Sequence, residues 1–419
     1  MSKFIIKGGS PLFGSWKVQG MKNAATPVLA STLLTREKCV LRNIPRIKDI
    51  DHMISILHTL GAKTEWVEQN TLSVWTPEII RSDMDYLLTK RMRSSVLFIG
   101  PILSVLGNVK MPEPGGCNIG NRPLDAHFSA LEAMGAKVLK EGIYYSISRQ
   151  KLQGGQIKMK EKSVTATENA IMAAVLSDEM IVIQNAACEP HIWCLCEFLN
   201  AMGARISGHG TDEISIEGVK ELKGVEFEII PDQLEIGTIA VLGALSAGGV
   251  SIGPVVQEHM VSILEKLREA GVLVEESNGS WFVSGSEGKI KPFNIETSPF
   301  PGFPTDLQAP FGVLATQALG KSVICDQMYE NRLGYFNELS KMGASARIID
   351  EHTAEVFGPT LLHGCKINSL DLRAGATLII AGLIAEGETE LFDAENIDRG
   401  YESIDERLRK IGADIQRVE

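Results

Sequence analysis

The sequence predicts an α/β protein of two domains built from six copies of one unit, and three observations carry that expectation. First, the segments LHTLGAK, LEAMGAK, LNAMGAR, LREAGVL, LSKMGAS and LRKIGAD recur along the chain. Their glycines are Gly61, Gly135, Gly203, Gly271, Gly343 and Gly412, each with a leucine four residues earlier: Leu57, Leu131, Leu199, Leu267, Leu339 and Leu408. The spacing is roughly 70 residues, so six copies, three per domain, account for the whole chain. Second, most copies carry upstream a helix that is apolar on nearly every face, which marks burial. Third, short β-rich runs join the two kinds of helix. At 419 residues the chain is long enough to give each of two domains its own core.

Taken in order, MSKFIIKGGS at the N-terminus has too short an apolar core for a signal peptide and reads as a strand ending in a turn. The buried helices are expected at 24–34, 94–106, 169–176, 236–245, 309–319 and 374–384. The β-rich runs that follow include 40–41, 181–183, 250–252, 322–324 and 388–392. Each outer helix is amphipathic and stops at its repeat glycine, which takes the left-handed C-terminal conformation cheaply, while the leucine one turn earlier packs inward. Buried helices covered by sheet and outer helix make a compact α/β body.

Composition narrows the function classes. With 44% hydrophobic and 22% charged residues the chain is an ordinary globular protein. The apolar run 96–106 is broken by Gly100 and Pro101, and 378–385 ends at Glu386, so neither spans a bilayer. A net charge of −11 without any run of Lys or Arg argues against a nucleic-acid or anionic-membrane partner. A six-repeat ring around DNA would need cations along its inner helices, and here those helices are apolar. Seven cysteines without CxxC spacing fit a reducing cytosol, hence a cytoplasmic protein. Cys188, His191, Cys194 and Cys196 lie close together, but Cys194 and Cys196 interleave with Trp193 and Leu195 on a helix. A second ligand pair is missing, so no metal is expected.

Polar residues interrupt the repeat at two places. One is the start of the buried helices: Lys22 and Asn23, Arg91 and Arg93, Ser163, Val164 and Thr165, Asp232 and Gln233, Asp306, and Asp371 with Arg373. The other is the loop before the outer helix: Cys117 and Arg122, Glu189, Glu330 and Arg332, Asp398 and Arg399. In copies that share one fold, equivalent positions point the same way, so these groups are expected to converge where two sets of three copies meet. Ser, Asp and Asn at helix starts are also ordinary caps. Capping does not account for Lys22, Arg93 and Arg373, since cations oppose the dipole at a helix start, and something anionic, ligand or carboxylate, should offset them. Cys117 stands in MPEPGGCNIGNR, residues 111–122, which reads as a mobile loop because of its glycines and prolines. A fixed cation nearby can hold such a thiol as a reactive thiolate.

At this point the motifs GMKNAATPVL, MRSS, PGGCNIGNRPLDAH, SVTATENAIMAA, IEGVKEL, PDQLEIGT, PGFPTDLQAP, ENRLGYFNELSKMGA, DLRAGATLIIAGL and IDRGYE can be read together. In this combination the chain resembles the UDP-N-acetylglucosamine 1-carboxyvinyltransferases of the EPSP synthase superfamily over essentially its full length. The resemblance implies a two-domain inside-out α/β barrel, with residues 1–20 and 231–419 forming the C-terminal domain and 21–230 the N-terminal domain. It also implies transfer of the enolpyruvyl group of phosphoenolpyruvate to the 3-hydroxyl of UDP-N-acetylglucosamine; shikimate 3-phosphate or another nucleotide is the alternative acceptor.

Carried over residue by residue, the resemblance implies that Cys117 protonates the methylene carbon of phosphoenolpyruvate and that Asp306 takes the proton from the sugar hydroxyl. Lys22, Asn23, Arg122, Arg332, Arg373 and Arg399 would hold phosphoenolpyruvate, with Lys22 and Arg399 counted in the catalytic set. Asn23, Arg93, Arg122, Pro123, Leu124, Asp125, His127, Ser163, Val164, Asp306 and Met328 would line the nucleotide-sugar site. The chemistry suits these residue types: a trianionic substrate beside a diphosphate demands fixed cations, and arginine supplies bidentate geometry. No redox cofactor or metal is called for. Met21 replaces the usual alanine, Gln233 an arginine, Thr165 a glycine and Glu161 a lysine, all near the nucleotide contacts. A cysteine at 117 leads to the hypothesis that fosfomycin alkylates this thiol; full activity after saturating treatment, with no mass gain on Cys117, would remove it.

Overall fold

The computed structural model describes residues 2–116, 119–151, 153–285 and 290–419. They group into two compact units, one of residues 20–116 and 122–230, the other of 2–19, 119–121 and 231–419.

In both units the inner helices are buried almost throughout. In the first these are Lys22–Ser31, the 3₁₀ turn Arg93–Phe98 running into Ile99–Leu106, and Val164–Ala174. In the second they are Gln233–Leu245, Gln308–Thr316 and Leu372–Ile384. Within each unit they pack on one another. They start earlier than periodicity indicates, because Lys22, Asn23 and Val164 lie inside first turns that carry polar side chains.

The outer helices end alike. At Gly61, Gly135, Gly203, Gly271, Gly343 and Gly412 φ lies between 78° and 104°. The following N–H returns to the repeat leucine's carbonyl, as from Ala62 to Leu57 (3.0 Å) and from Ala413 to Leu408 (3.1 Å). The glycine N–H bonds the next carbonyl, His58 or Arg409, completing a Schellman cap. One leucine thus fills the core with its side chain and closes the helix with its carbonyl.

Among the described residues, five four-stranded sheets repeat one order. The strand after the inner helix pairs antiparallel with the second strand of the hairpin that follows the outer helix, and its other edge takes a parallel partner. Thus Ile181–Gln184 lies between Glu213–Glu217 and Gly155–Lys158, and Gly320–Cys325 between Thr353–Gly358 and Asn294–Glu296. In the last sheet Lys3–Lys7 takes the hairpin position between Glu388–Phe392 and Asp414–Val418. Phe13–Lys17 supplies the parallel edge beside Gly249–Gly253. The sixth sheet, of Asn108–Pro112, Lys137–Glu141 and Tyr144–Ser148, has three strands among the described residues and only an isolated parallel bridge, Asp83 to Lys110, at that edge. Of the strands that follow an inner helix, the one absent from the sequence reading is Asn108–Pro112, which takes Met111 and Pro112 out of the expected loop.

A buried amide repairs the inner helix that carries Pro101 near its start. Pro101 has no N–H for the helix ladder, and the preceding turn is 3₁₀. Asn169, fully buried on the neighbouring inner helix, inserts its side chain there. Its Oδ1 accepts from Gly100 N–H (2.7 Å), and its Nδ2 donates to the carbonyls of Val96 (3.1 Å) and Thr165 (3.0 Å). Asn169→Leu should therefore cost roughly 2–4 kcal/mol in urea unfolding, the penalty for orphaned buried backbone groups. A loss below about 0.5 kcal/mol would mean that the ladder closes without the amide.

Candidate active site

In the first unit, Lys22 opens an inner helix with its Nζ 2.9 Å from Oδ2 of Asp49, which is buried in the first turn of the outer helix Lys48–Thr59. A carboxylate thus offsets that cation. Asn23 follows it, half-buried. Arg93 begins the next inner helix and donates through Nη2 to the backbone carbonyls of Arg122 and Pro123 (3.3 Å for the latter), fixing the segment that leads to Leu124, Asp125 and His127.

Cys117 lies outside the described residues, as does Asn118. The reason for two glycines before it is visible. A Cβ on Gly115 would fall 1.7 Å from the carbonyl oxygen of Lys90. Gly116 has φ +120°, and a Cβ there would lie 3.0 Å from Cβ of Arg93 and 3.2 Å from Nη2 of Arg122. Only glycine lets the backbone pass so close to two guanidinium side chains.

His127 is buried, and its Nε2 lies 2.9 Å from Oγ1 of Thr165, while Nδ1 has no hydrogen-bond partner among the described residues. Burial, helped by the Arg93 charge, pushes its pKa down to about 3, so the ring is neutral at pH 7. Thr165, a departure from the family pattern, thereby acquires a role that glycine could not fill. Ser163 precedes Val164 at the start of its helix, but its side chain does not cap it. Gln233 is buried with Oε1 unpartnered among the described residues, Met21 is buried, and Glu161 is exposed.

In the second unit Asp306 sits in the turn Thr305–Leu307 before an inner helix and is shared by two arginines. Arg332 Nη1 donates to its Oδ1 (2.8 Å) and Arg373 Nε to its Oδ2 (3.2 Å). The arginine side chains are only 5% and 4% exposed, against 25% for the carboxylate. Burial alone would lower both guanidinium pKa values. Asp306, Asp371 and Asp326 reverse this for Arg332, and Tyr401, Asp306 and Asp232 for Arg373, so both end above the ordinary value.

Here capping and ion pairing divide. Asp232 and Asp371 are true caps, accepting from Leu234 N–H (2.9 Å) and from Arg373 (2.7 Å) and Ala374 (3.0 Å) N–H, whereas Asp306 pairs with side chains. Met328 is set by its N–H on Asp326 Oδ1 (3.0 Å). Asp326, fully buried, also accepts from Thr297 and Thr305. Arg399 ends the turn Ala394–Arg399, half-buried.

The sequence reading missed Asp49, Asp326 and Tyr401. None of these stands in a spacing that a single chain would flag. The other cysteines give no sign of a metal centre: Cys194 and Cys196 are buried in the helix Pro190–Ala201, and burial pushes the Cys194 thiol up to about 12. Among the described residues no group of three or more His, Cys, Asp or Glu could hold a metal ion, and no helix is long and apolar enough to cross a membrane.

Repeated sheets over buried helices, with two arginines gathered on one carboxylate at a helix start, define an α/β protein built from repeated units. The family model for EPSP synthase (3-phosphoshikimate 1-carboxyvinyltransferase) matches residues 6–408, and the chain belongs to that family. Among curated relatives, UDP-N-acetylglucosamine 1-carboxyvinyltransferase 1 of Carboxydothermus hydrogenoformans is 44% identical over 418 residues, covering 100% of this chain and 99% of that protein. The UDP-N-acetylglucosamine 1-carboxyvinyltransferase of Halothermothrix orenii is 43% identical over 419 residues, covering 100% of both. The solved structure of the enolpyruvyl transferase NikO from Streptomyces tendae has a TM-score of 0.90 at 22% identity, over 100% of this chain and 99% of that one. An EPSP synthase from Acinetobacter baumannii has a TM-score of 0.77 at 17% identity, over 100% of both chains. At these identities the two structures speak for the fold, which is the EPSP synthase-like fold expected from the sequence.

The His127 environment has a measurable consequence. Its folded pKa lies below the unfolded value near 6.5, so the unfolded chain binds the extra proton and stability falls as pH drops from about 6.5 toward 3. His127→Asn should flatten that dependence by up to ~1.4 kcal/mol per pH unit in urea unfolding. Parallel curves for wild type and variant between pH 6.5 and 4 would show that the ring titrates freely.

Proposed function

We propose that the chain transfers the enolpyruvyl group of phosphoenolpyruvate to the 3-hydroxyl of UDP-N-acetylglucosamine with release of phosphate, the first committed step of peptidoglycan synthesis, in the cytoplasm. One observation carries this reading: full-length identity of 41–44% to proteins named for that activity. The shikimate 3-phosphate alternative is less well supported, since the EPSP synthase structures share only 17–18% identity.

The reaction needs an acid, a base and several cations. A proton added to the methylene carbon of phosphoenolpyruvate leaves positive charge on C2. The sugar 3-oxygen bonds to that carbon as its proton goes to the base, giving a tetrahedral adduct. Loss of a proton from the methyl group and of the C2–O bond to phosphate then restores the double bond on the sugar. In this reading Cys117 is the acid and Asp306 the base. A carboxylate oxygen has two acceptor sites, so Asp306 can keep Arg332 and Arg373 and still accept the hydroxyl proton. Lys22, Asn23, Arg122, Arg332, Arg373 and Arg399 hold the phosphate and carboxylate. Asn23, Arg93, Arg122, Pro123, Leu124, Asp125, His127, Ser163, Val164, Asp306 and Met328 form the sugar-nucleotide site, where a neutral His127 offers hydrogen bonds without adding charge.

A coupled phosphate-release assay tests the reading. Phosphate should appear with phosphoenolpyruvate and UDP-N-acetylglucosamine and not with shikimate 3-phosphate. Cys117→Ala and Asp306→Ala should each lower turnover by ~10²–10⁴-fold while sugar-nucleotide binding persists. Release with shikimate 3-phosphate alone would replace the acceptor, and unchanged output in both variants would point to a protein that only senses the nucleotide.

A further inference from the structure

We propose that Tyr401 is the positioning residue that fixes the guanidinium of Arg373, through a hydrogen-bond chain anchored on the buried helix Gln233–Leu245. The inference rests on the reading of Arg373 as a phosphoenolpyruvate-binding residue.

Tyr401 is 2% exposed, with its Oη 3.2 Å from Arg373 Nη1 and 3.1 Å from Thr238 Oγ1. The proton directions follow from what each group can do. Thr238 gives its one hydroxyl proton to the carbonyl of Leu234 (2.7 Å), so its oxygen must accept from Tyr401. A guanidinium has no acceptor, so Arg373 donates to the phenol oxygen. The chain therefore runs in one sense, from Arg373 to Tyr401 to Thr238 to Leu234, each bond polarising the next. Burial raises the Tyr401 pKa despite the Arg373 charge, which keeps the phenol proton in place for Thr238.

The guanidinium of Arg373 is thus held at two nitrogens. Nε is on Asp306 (3.2 Å), Nη1 is on Tyr401, and the Tyr401 ring centre lies 5.5 Å from its carbon. Nη2, between those two anchors, makes no hydrogen bond among the described residues and is the donor left for an anion. Without the Tyr401 hydroxyl, Nη1 is a buried donor lacking a partner. The guanidinium then swings to satisfy it, and both Nη2 and the grip on Asp306 move with it.

The test is steady-state phosphate release by the full-length chain with phosphoenolpyruvate varied, comparing wild type with Tyr401→Phe, Thr238→Val and Thr238→Ser. The same samples are melted with and without phosphoenolpyruvate. Tyr401→Phe should lower kcat/KM for phosphoenolpyruvate about tenfold or more, with KM for the sugar nucleotide within about threefold and melting within about 5 °C. Thr238→Val should shift the same parameter in the same direction, and Thr238→Ser should restore it. A Tyr401→Phe value within about twofold of wild type, or a loss shared equally by both substrates, overturns the proposal. If Tyr401→Phe does not fold, the Thr238 pair decides: equal values for Val and Ser overturn it. A wild type that releases no phosphate refutes the proposed function instead. In that case a melting shift caused by phosphoenolpyruvate in wild type and lost in Tyr401→Phe still supports the positioning role, and its absence from wild type or retention in the variant overturns it.

Discussion

One carboxylate shared between two buried arginines is the interaction on which the second unit's polar chemistry depends. Taking a guanidinium out of water costs several kcal/mol, and Arg332 and Arg373 are both almost wholly enclosed. Asp306 offsets them together, one oxygen to each. The same bond that makes the burial tolerable also holds the carboxylate in one orientation, so structural and chemical demands fall on a single side chain. Lys22 and Asp49 repeat the arrangement on a smaller scale in the first unit.

The repeat explains why charge collects at these points. A helix buried on all faces offers polar groups an outlet only at its ends, and its first turn carries unpaired N–H groups. Caps such as Asp232 and Asp371 satisfy those groups. Side chains one or two residues further along, Lys22 and Arg373 among them, sit against the helix dipole and need carboxylates from elsewhere in their unit. Within each unit these ion pairs thus form at the least comfortable positions of an otherwise uniform scaffold. Supporting groups such as Asp326 and Tyr401 then hold the donors and acceptors in place.

Much of this was legible in the chain. The repeat leucines and glycines marked all six outer-helix ends, because a Schellman cap needs glycine at one fixed place. The ends of the apolar inner helices were found to within a turn, while their starts lie up to five residues earlier than expected, because polar first turns break the pattern. The strand Asn108–Pro112 was missed because NVKMP is short, ends in proline and runs straight into the glycine-rich loop. Lys22, Arg93 and Arg373 were flagged as cations at odds with their helices, and a partner was expected for each. That Asp49 and Asp306 would answer for two of them was not readable: Asp306 lies 67 residues from Arg373 in the chain.

By itself the sequence determined the periodic architecture, since caps, amphipathic faces and strand runs are local properties written within a few residues of where they act. It also determined family membership, through motifs spread over the full length. Only the tertiary structure decided which carboxylate answers which cation, that Thr165 meets His127, that Asn169 mends the helix broken at Pro101, and that Tyr401 anchors Arg373. Those pairings join residues far apart in the chain, and hydrogen bonds and ion pairs act over about 3 Å, a separation that no spacing along a sequence records.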